Sequence, residues 1–288
     1  MRKYLIILFQ IMVIQAFGQI HRPLFDQYLF NPLVINPGYA GSNEALTAVM
    51  HHRSQWSGFD GAPVNQTFAI HSPIGTQNAN AGSIISLDRF GLSSRIDLMG
   101  VFAYRIPVGK GRLSLGLQGG VEYLSTAWDR VSTDPNYQDD YVFQNNQPNL
   151  FTPRVGSGLY YDNKKFFIGI AMPDHIIYNQ SFYKRPGNLQ FGRMYNFYTG
   201  YHIKLSESFR LVPSLLLKHL KGSSMQMDLN SMVSYKRLFS FGVSYRTNQS
   251  IIALFEVRKD QVSFGYAYDH WFNEFANVRL NAHEFMLR

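Results

Sequence analysis

Residues that could do chemistry are few and scattered in this chain. His51 and His52 are adjacent, but neighbours in an extended strand point to opposite faces and cannot chelate one ion together. Gly156-Ser157-Gly158 lacks the G-x-S-x-G spacing of a nucleophile elbow. Glu207, Glu256 and Glu284 have no ligand spacing, and Asp139-Asp140 lacks the D-x-[DN]-x-[DN]-G pattern of a calcium loop. No helix follows the glycines near Gly109 and Gly116, so they make no phosphate cradle. The absence of cysteine removes disulfides, thiolate zinc sites, iron–sulfur clusters and cysteine nucleophiles together. No catalytic, metal-binding or cofactor-binding residue is assigned, and an enzyme is not expected. One stretch still packs chemistry closely: RSQWSGFDGAP, at 53–63, brings together Arg53, Trp56, Phe59 and Asp60 with two glycines.

Composition narrows the class. Of 288 residues, 45% are hydrophobic and only 16% charged, where soluble domains carry nearer ~25% charged. Aromatics reach 15%, with 18 Tyr and 23 Phe, a surplus that a compact soluble core does not need. Residues 1–18 read as a signal peptide: Arg2 and Lys3, an apolar run over 4–14 broken only by Gln10, then Ala16-Phe17-Gly18 as the cleavage site. Cleavage would leave Gln19 first and remove two cations, lowering the formal charge from +8 to +6. No dense Lys/Arg run argues for nucleic acid, and charges spread this thinly are expected at solvated positions.

The elements that must position these residues alternate with period two. Over 112–123, Leu113, Leu115, Leu117, Val121 and Tyr123 share one face, and Ser114, Gly116, Gln118, Gly120 and Glu122 the other. The same holds for Phe239, Phe241, Val243 and Tyr245 against Ser240, Gly242 and Ser244. It holds again for Val262, Phe264, Tyr266 and Tyr268 against Ser263, Gly265, Ala267 and Asp269. Further strands are expected over 166–172, 195–205, 211–217 and 227–235. The chain reads as all-β.

Strands of ~9–12 residues suit a tilted membrane crossing better than a soluble sheet. The apolar face carries Tyr and Phe near strand ends, as interfacial girdles do, and the other face is expected to line a lumen with Gly, Ser, Asn and Gln. Ser157 is expected on that lumen side. Connections support the same reading: links numbered even along the chain are short, and the long ones, 127–151 and 173–190, are both odd. Short periplasmic turns alternating with longer outer loops mark a transmembrane outer-membrane β-barrel of about 14 antiparallel strands. Trp56, Trp128 and Trp271 fall at strand ends on the outer side, where an interfacial indole belongs. The organisation is then a signal peptide at 1–18, a non-strand segment at 19–43 and a barrel at 44–288. The middle segment holds Asn31-Pro32 and Asn36-Pro37 and lies in the periplasm or plugs the lumen.

Beyond pattern, specific stretches look familiar. FDQYLFNPLVINPGYAGS (25–42), RSQWSGFDGAP (53–63), QTF (66–68), HSP (71–73), Tyr104-Arg105, LSLGLQ (113–118), GYAYD (265–269) and HEFMLR (283–288) fall in order along the chain. Together they resemble the PorP/SprF family, outer-membrane proteins of the Bacteroidota type IX secretion system. Position 38 is Gly where that family more often has Ala.

The resemblance implies a non-catalytic barrel that binds and anchors a large secreted surface adhesin through its C-terminal domain, or assists its export. Implied partners are that domain, other type IX secretion or gliding components, and outer-membrane lipid. Two surfaces are expected to serve recognition. One is the outer mouth, with Arg53, Trp56, Phe59 and Asp60 and the loops around 137–140 and 178–185. The other is the lead, with Tyr28, Phe30, Asn31, Asn36 and Tyr39. The alternative is a passive outer-membrane channel or uptake pore.

Overall fold

The computed structural model describes residues 25–56, 60–127, 149–175, 194–220, 224–247, 250–272 and 281–288. The expected signal peptide, Phe59, Trp128 and the loops around 137–140 and 178–185 lie outside them.

Strands fill most of the described chain: β1 (Thr47–Gln55), β2 (Val64–Ile74), β3 (Thr76–Phe90), β4 (Ser93–Val108), β5 (Gly111–Thr126), β6 (Asn149–Asn163), β7 (Phe166–Asp174) and β8 (Met194–Tyr201). After His202 the two-residue β9 (Ile203–Lys204) continues the line of β8, and β10 (Phe209–Leu220), β11 (Gln226–Tyr235), β12 (Phe239–Arg246), β13 (Ser250–Lys259), β14 (Val262–Trp271) and β15 (Ala282–Leu287) follow. Each pairs antiparallel with its neighbour, and β1 pairs with β15 from Met50↔Leu287 to Gln55↔Ala282. With β8 and β9 counted as one stave, the sheet closes as a 14-stranded barrel. Closure leaves no free edge, which a chain with this many strands in lipid requires.

The faces expected from alternation are the faces observed. Leu98, Phe102, Leu115, Leu117, Val121, Leu159, Ile170, Phe241 and Val243 all point outward and are exposed. So continuous an apolar outer surface is a lipid-facing band, not a soluble protein's exterior. Aromatic pairs sit at its ends: Tyr123 against Phe151 on one side, Tyr161 against Phe166 and Phe209 against Tyr235 on the other. The links 75, 109–110, 164–165, 205–208, 236–238 and 260–261 gather at one end, and all are short. The strand ends that flank the long links 127–148 and 175–193 gather at the opposite end. By the rule for such barrels the turn-bearing end faces the periplasm.

The inner face departs from expectation. It carries small and amide residues as anticipated, but also buried Arg53, Arg95, Arg105, Arg246, Asp88, Asp97, Asp228, Asp269, Glu122, Glu256 and Glu284. Thinly spread charge is therefore not a mark of solvated positions here. In a closed barrel the inward parity of each strand is enclosed, and opposite charges from staves one or two apart meet on the inner wall.

Candidate functional site

Residues 25–43 occupy the lumen. Two Asn-Pro steps set their shape, because proline at the first position of a turn loses no hydrogen bond. The result is three single 3-10 turns, at Gln27–Leu29, Pro32–Val34 and Pro37–Tyr39. Asn36 caps the third, its Oδ1 accepting from Gly38 N at 2.8 Å. Gly41 follows at φ +74°, where an added Cβ would strike the Asn80 side chain. Short 3-10 turns leave many backbone groups free, and the barrel wall supplies partners for them.

The segment descends from the loop-bearing end to the turn-bearing end. At its top, Asp26 makes an ion pair with Arg53 and accepts from Arg246 Nη1 at 2.9 Å. Arg53 also binds Asp269 at 2.9 Å and lies 3.5 Å from Glu284. Arg246 holds Asp228 at 3.0 Å. Glu284 in turn accepts from the backbone N–H of Asp26 at 2.8 Å and of Gln27 at 3.2 Å, and faces His51 Nδ1 at 3.1 Å. Asn31 meets the other nitrogen of His51 at 3.2 Å. Two guanidinium groups and one imidazole thus bind four carboxylates contributed by the lead, β11, β14 and β15. Such a buried cluster is costly to desolvate and is sustained only if its members stay paired, so it fixes register more than it adds stability.

Below this cluster the contacts turn apolar. Phe30 packs with Val49, Ile252, Leu254 and Met286, and Leu33 with Ala69, Val101 and Ala103. Tyr28 lies edge-on to Tyr198 at 5.9 Å and exchanges hydrogen bonds with Asn230. Burial pushes the Tyr28 phenol well up from its ordinary value, so it stays neutral and donates. Farther down, Asn36 Nδ2 donates to Leu159 O at 2.9 Å, and Asn196 Nδ2 donates to Ile35 O at 2.9 Å. At the foot, Gly41 N donates to His71 Nδ1 at 3.0 Å, and Arg105 Nη1 donates to Gly41 O at 3.0 Å. The wall is shaped for this approach: a Cβ on Gly116 would come within 2.2 Å of Gly38 N. A Cβ on Gly38 itself would meet Gly158 O and Tyr160 N at 3.1 Å, so an alanine there needs the wall to give by a few tenths of an ångström.

A second cluster lies in the upper wall, where Asp97, Arg154 and Asp174 line a small pocket with Phe25, Val34 and Ile35 of the lead. Arg154 binds Asp97 at 2.5 Å and also Asp174, with Glu122 at 3.8 Å; Arg95 binds Asp88 at 3.4 Å.

The sequence-based candidates separate cleanly in space. Arg53 is expected at the outer mouth; it is instead a β1 residue, 1% exposed, aimed inward at Asp26, Asp269 and Glu284. Tyr28, Phe30, Asn31 and Asn36 are buried against the wall, and Tyr39 packs edge-on to Tyr160. As placed, Tyr28, Asn31 and Asn36 hold the lead to the wall, while Phe30 and Tyr39 also line the cavity at the turn-bearing end. Trp56 and Asp60 do lie on the outer β1–β2 connection, where Trp56 adopts φ +53° and donates its backbone N–H to Asn281 O at 2.8 Å. Asp26, Asp228, Arg246, Asp269 and Glu284 were missed as a group. Their signal was parity: Asp269 shares a face with Ser263, Gly265 and Ala267, and Arg246 with Ser240, Gly242 and Ser244.

Chemistry elsewhere stays thin. His51 and His52 point to opposite sides of β1 as expected, and no group of metal-ligating side chains occurs among the described residues. Ser157 requires a correction: Gly156 and Gly158 face the lumen, so Ser157 faces outward, where its Oγ lies 3.1 Å from His175 Nε2. A Ser–His contact needs a third group to orient the imidazole before it can act as a base. No hydrogen bond from such a group to His175 Nδ1 is present among the described residues.

Comparison with known proteins gives one decisive result. A sequence model of the family described as "Type IX secretion system membrane protein PorP/SprF" matches residues 18–288. Curated proteins yield no match. Among solved structures, a double mutant of Rh. blastica porin is 8% identical, with 84% of this chain and 98% of that chain covered at a TM-score of 0.34. A triple mutant of the Rhodopseudomonas blastica porin is also 8% identical and covers 84% and 98% at 0.35. Likeness at that level adds nothing to the barrel already described.

Proposed function

The chain belongs to the PorP/SprF family of type IX secretion system membrane proteins, and from that premise we propose that it is a non-catalytic outer-membrane receptor. It binds and anchors a large secreted adhesin, or assists its export, by holding the adhesin's C-terminal domain at the outer mouth. The observation that carries this reading is the lumen itself. A lead tied to the wall by ion pairs, by backbone hydrogen bonds and by three apolar clusters is a filled interior, which suits a recognition platform better than a conduit.

Recognition falls to the outer connections, with Trp56 and Asp60 as contact residues. The buried candidates act one step back, by fixing the strand ends from which those connections spring. Type IX secretion and gliding components are the further partners, and the outer membrane, reached through a cleaved signal peptide at 1–18, is the location. Deleting the protein and staining intact cells for the adhesin tests the role: surface adhesin should fall, and unaltered display would end the proposal.

A further inference from the structure

Beneath the lead a cavity of about 880 Å³ opens at the turn-bearing end. Its inner part is apolar and aromatic, formed by Leu29, Phe30, Phe167, Tyr198, Val212 and Met232. Its rim carries six cations, Lys204, Arg210, Lys236, Arg237, Arg258 and Arg288, against two carboxylates, Glu207 and Glu256. Both carboxylates are already engaged. Glu256 accepts from Arg288 at 2.6 Å and Arg258 at 3.2 Å, and Glu207 contacts Lys204. Arg210, Lys236 and Arg237 have no carboxylate partner among the described residues. The upper cluster is carboxylate-rich and this mouth is cation-rich, so the field along the lumen favours an anion entering from the turn-bearing side.

The hairpin between β11 and β12 adds an independent observation. Lys236 and Arg237 are its two central residues, both with positive φ, at 47° and 59°. Leu238 N closes the turn on Tyr235 O at 2.9 Å. A turn with two successive central residues at positive φ favours Asn-Gly, because long side chains are strained in the left-handed region. Two cations sit where local energetics select against them; Lys236 gains a cation–π contact, its Nζ 5.4 Å over the Tyr235 ring, and no such contact accounts for Arg237 among the described residues.

We propose that this vestibule binds an acidic, partly apolar polypeptide segment of a partner in the periplasm. Carboxylates meet Arg210, Lys236 and Arg237 at the rim while apolar side chains enter toward Phe30 and Tyr198. A membrane phospholipid fits less well. Its phosphate could reach the rim, but its tails lie outside the barrel wall and cannot follow into the lumen. This site is at the opposite mouth from the adhesin-binding connections and does not depend on the receptor role.

The test uses the full chain in detergent and a short fluorescein-labelled peptide alternating Glu and Leu, read by anisotropy. The peptide should bind with an affinity that falls steeply with salt, and the same peptide with Lys in place of Glu should not bind. Lys236→Asn with Arg237→Gly should weaken binding about tenfold at low salt, from the loss of two exposed charge contacts, while the thermal midpoint stays level or rises. Arg210→Gln, which leaves the turn intact, should weaken it in the same direction. Wild-type affinity in both variants, equal binding of the Lys peptide, or stronger competition by inorganic phosphate or phosphatidylglycerol micelles than by unlabelled peptide would each overturn the proposal.

Discussion

Asp26, from the lead, and Arg53, from the first strand of the wall, form a buried ion pair inside the barrel. The pair joins the segment that fills the lumen to the strand that closes it, since Arg53 lies opposite Glu284 in the β1–β15 register. Removing either partner is therefore expected to loosen both plug and seam, but unequally. Asp26→Asn leaves Arg53 bound to Asp269 and Glu284 and should cost about 1.5–3 kcal/mol, the range for a hydrogen bond to a charged group. Arg53→Met leaves Asp26, Asp269 and Glu284 with Arg246 as the nearest cation and should cost about 3–5 kcal/mol. Heat-dependent gel mobility of the folded barrel measures both, and an Asn variant weaker than the Met variant would contradict this account.

Gly116 is a wall glycine whose added Cβ would meet the backbone of the lead rather than a side chain. Gly116→Val forces its Cβ onto Gly38 N and Pro37, at 2.2 and 2.3 Å, where backbone must move. The lead should then become open to protease while the strands persist. Gly119→Ala is the control, since a Cβ there meets nothing within 4 Å. Equal protection of the lead in the two variants would show that the close approach does not matter.

Much of the fold was legible because a closed barrel in lipid writes its two environments into alternate residues. Phe241 against Gly242, or Leu115 against Gly116, states its face without tertiary information. The ion clusters were less legible, because parity places Asp269 and Arg246 inside but gives no hint that they share Asp26. That partnership depends on how far the lead descends, which the Asn-Pro steps at 31–32 and 36–37 do not specify. Arg53 was misplaced for a related reason: RSQWSGFDGAP reads as one loop-like unit, whereas pairing with β15 carries the strand through Gln55. Ser157 was assigned to the wrong face, although its glycine neighbours share the parity of Tyr160, which points inward.

Trp56 offers a way to separate recognition from stability. A tryptophan at φ +53° is strained, and Trp56→Gly should relieve about 1 kcal/mol while keeping the backbone bond to Asn281. If the outer β1–β2 connection recognises an adhesin domain, the glycine variant should retain less adhesin on the cell surface with an unchanged or higher thermal midpoint. Full retention would remove Trp56 from the recognition surface.

The Ser157–His175 contact is expected to be structural. Ser157→Ala and His175→Ala should leave surface display of the adhesin intact, and the purified wild-type barrel should show no phospholipid turnover. Turnover abolished by Ser157→Ala would reverse that view.

Conductance separates a filled barrel from a pore. An empty barrel of 14 strands would hold a water-filled channel, since 16-stranded relatives of the architecture do. Here the lead crosses the lumen from the level of Arg53 to that of Arg105, and most of its side chains are buried along that path. The vestibule below it is open on one side, and ions entering it meet Phe30, Tyr39 and Tyr198 rather than a continuation. Wild-type protein in a planar bilayer should therefore be nearly silent. Gly116→Val should conduct, because displacing 37–38 opens the foot of the lead, and Arg53→Met should show brief openings as its top detaches. Steady porin-like conductance from the wild type would mean the lead yields readily to ions, and the passive-channel reading would then replace the receptor.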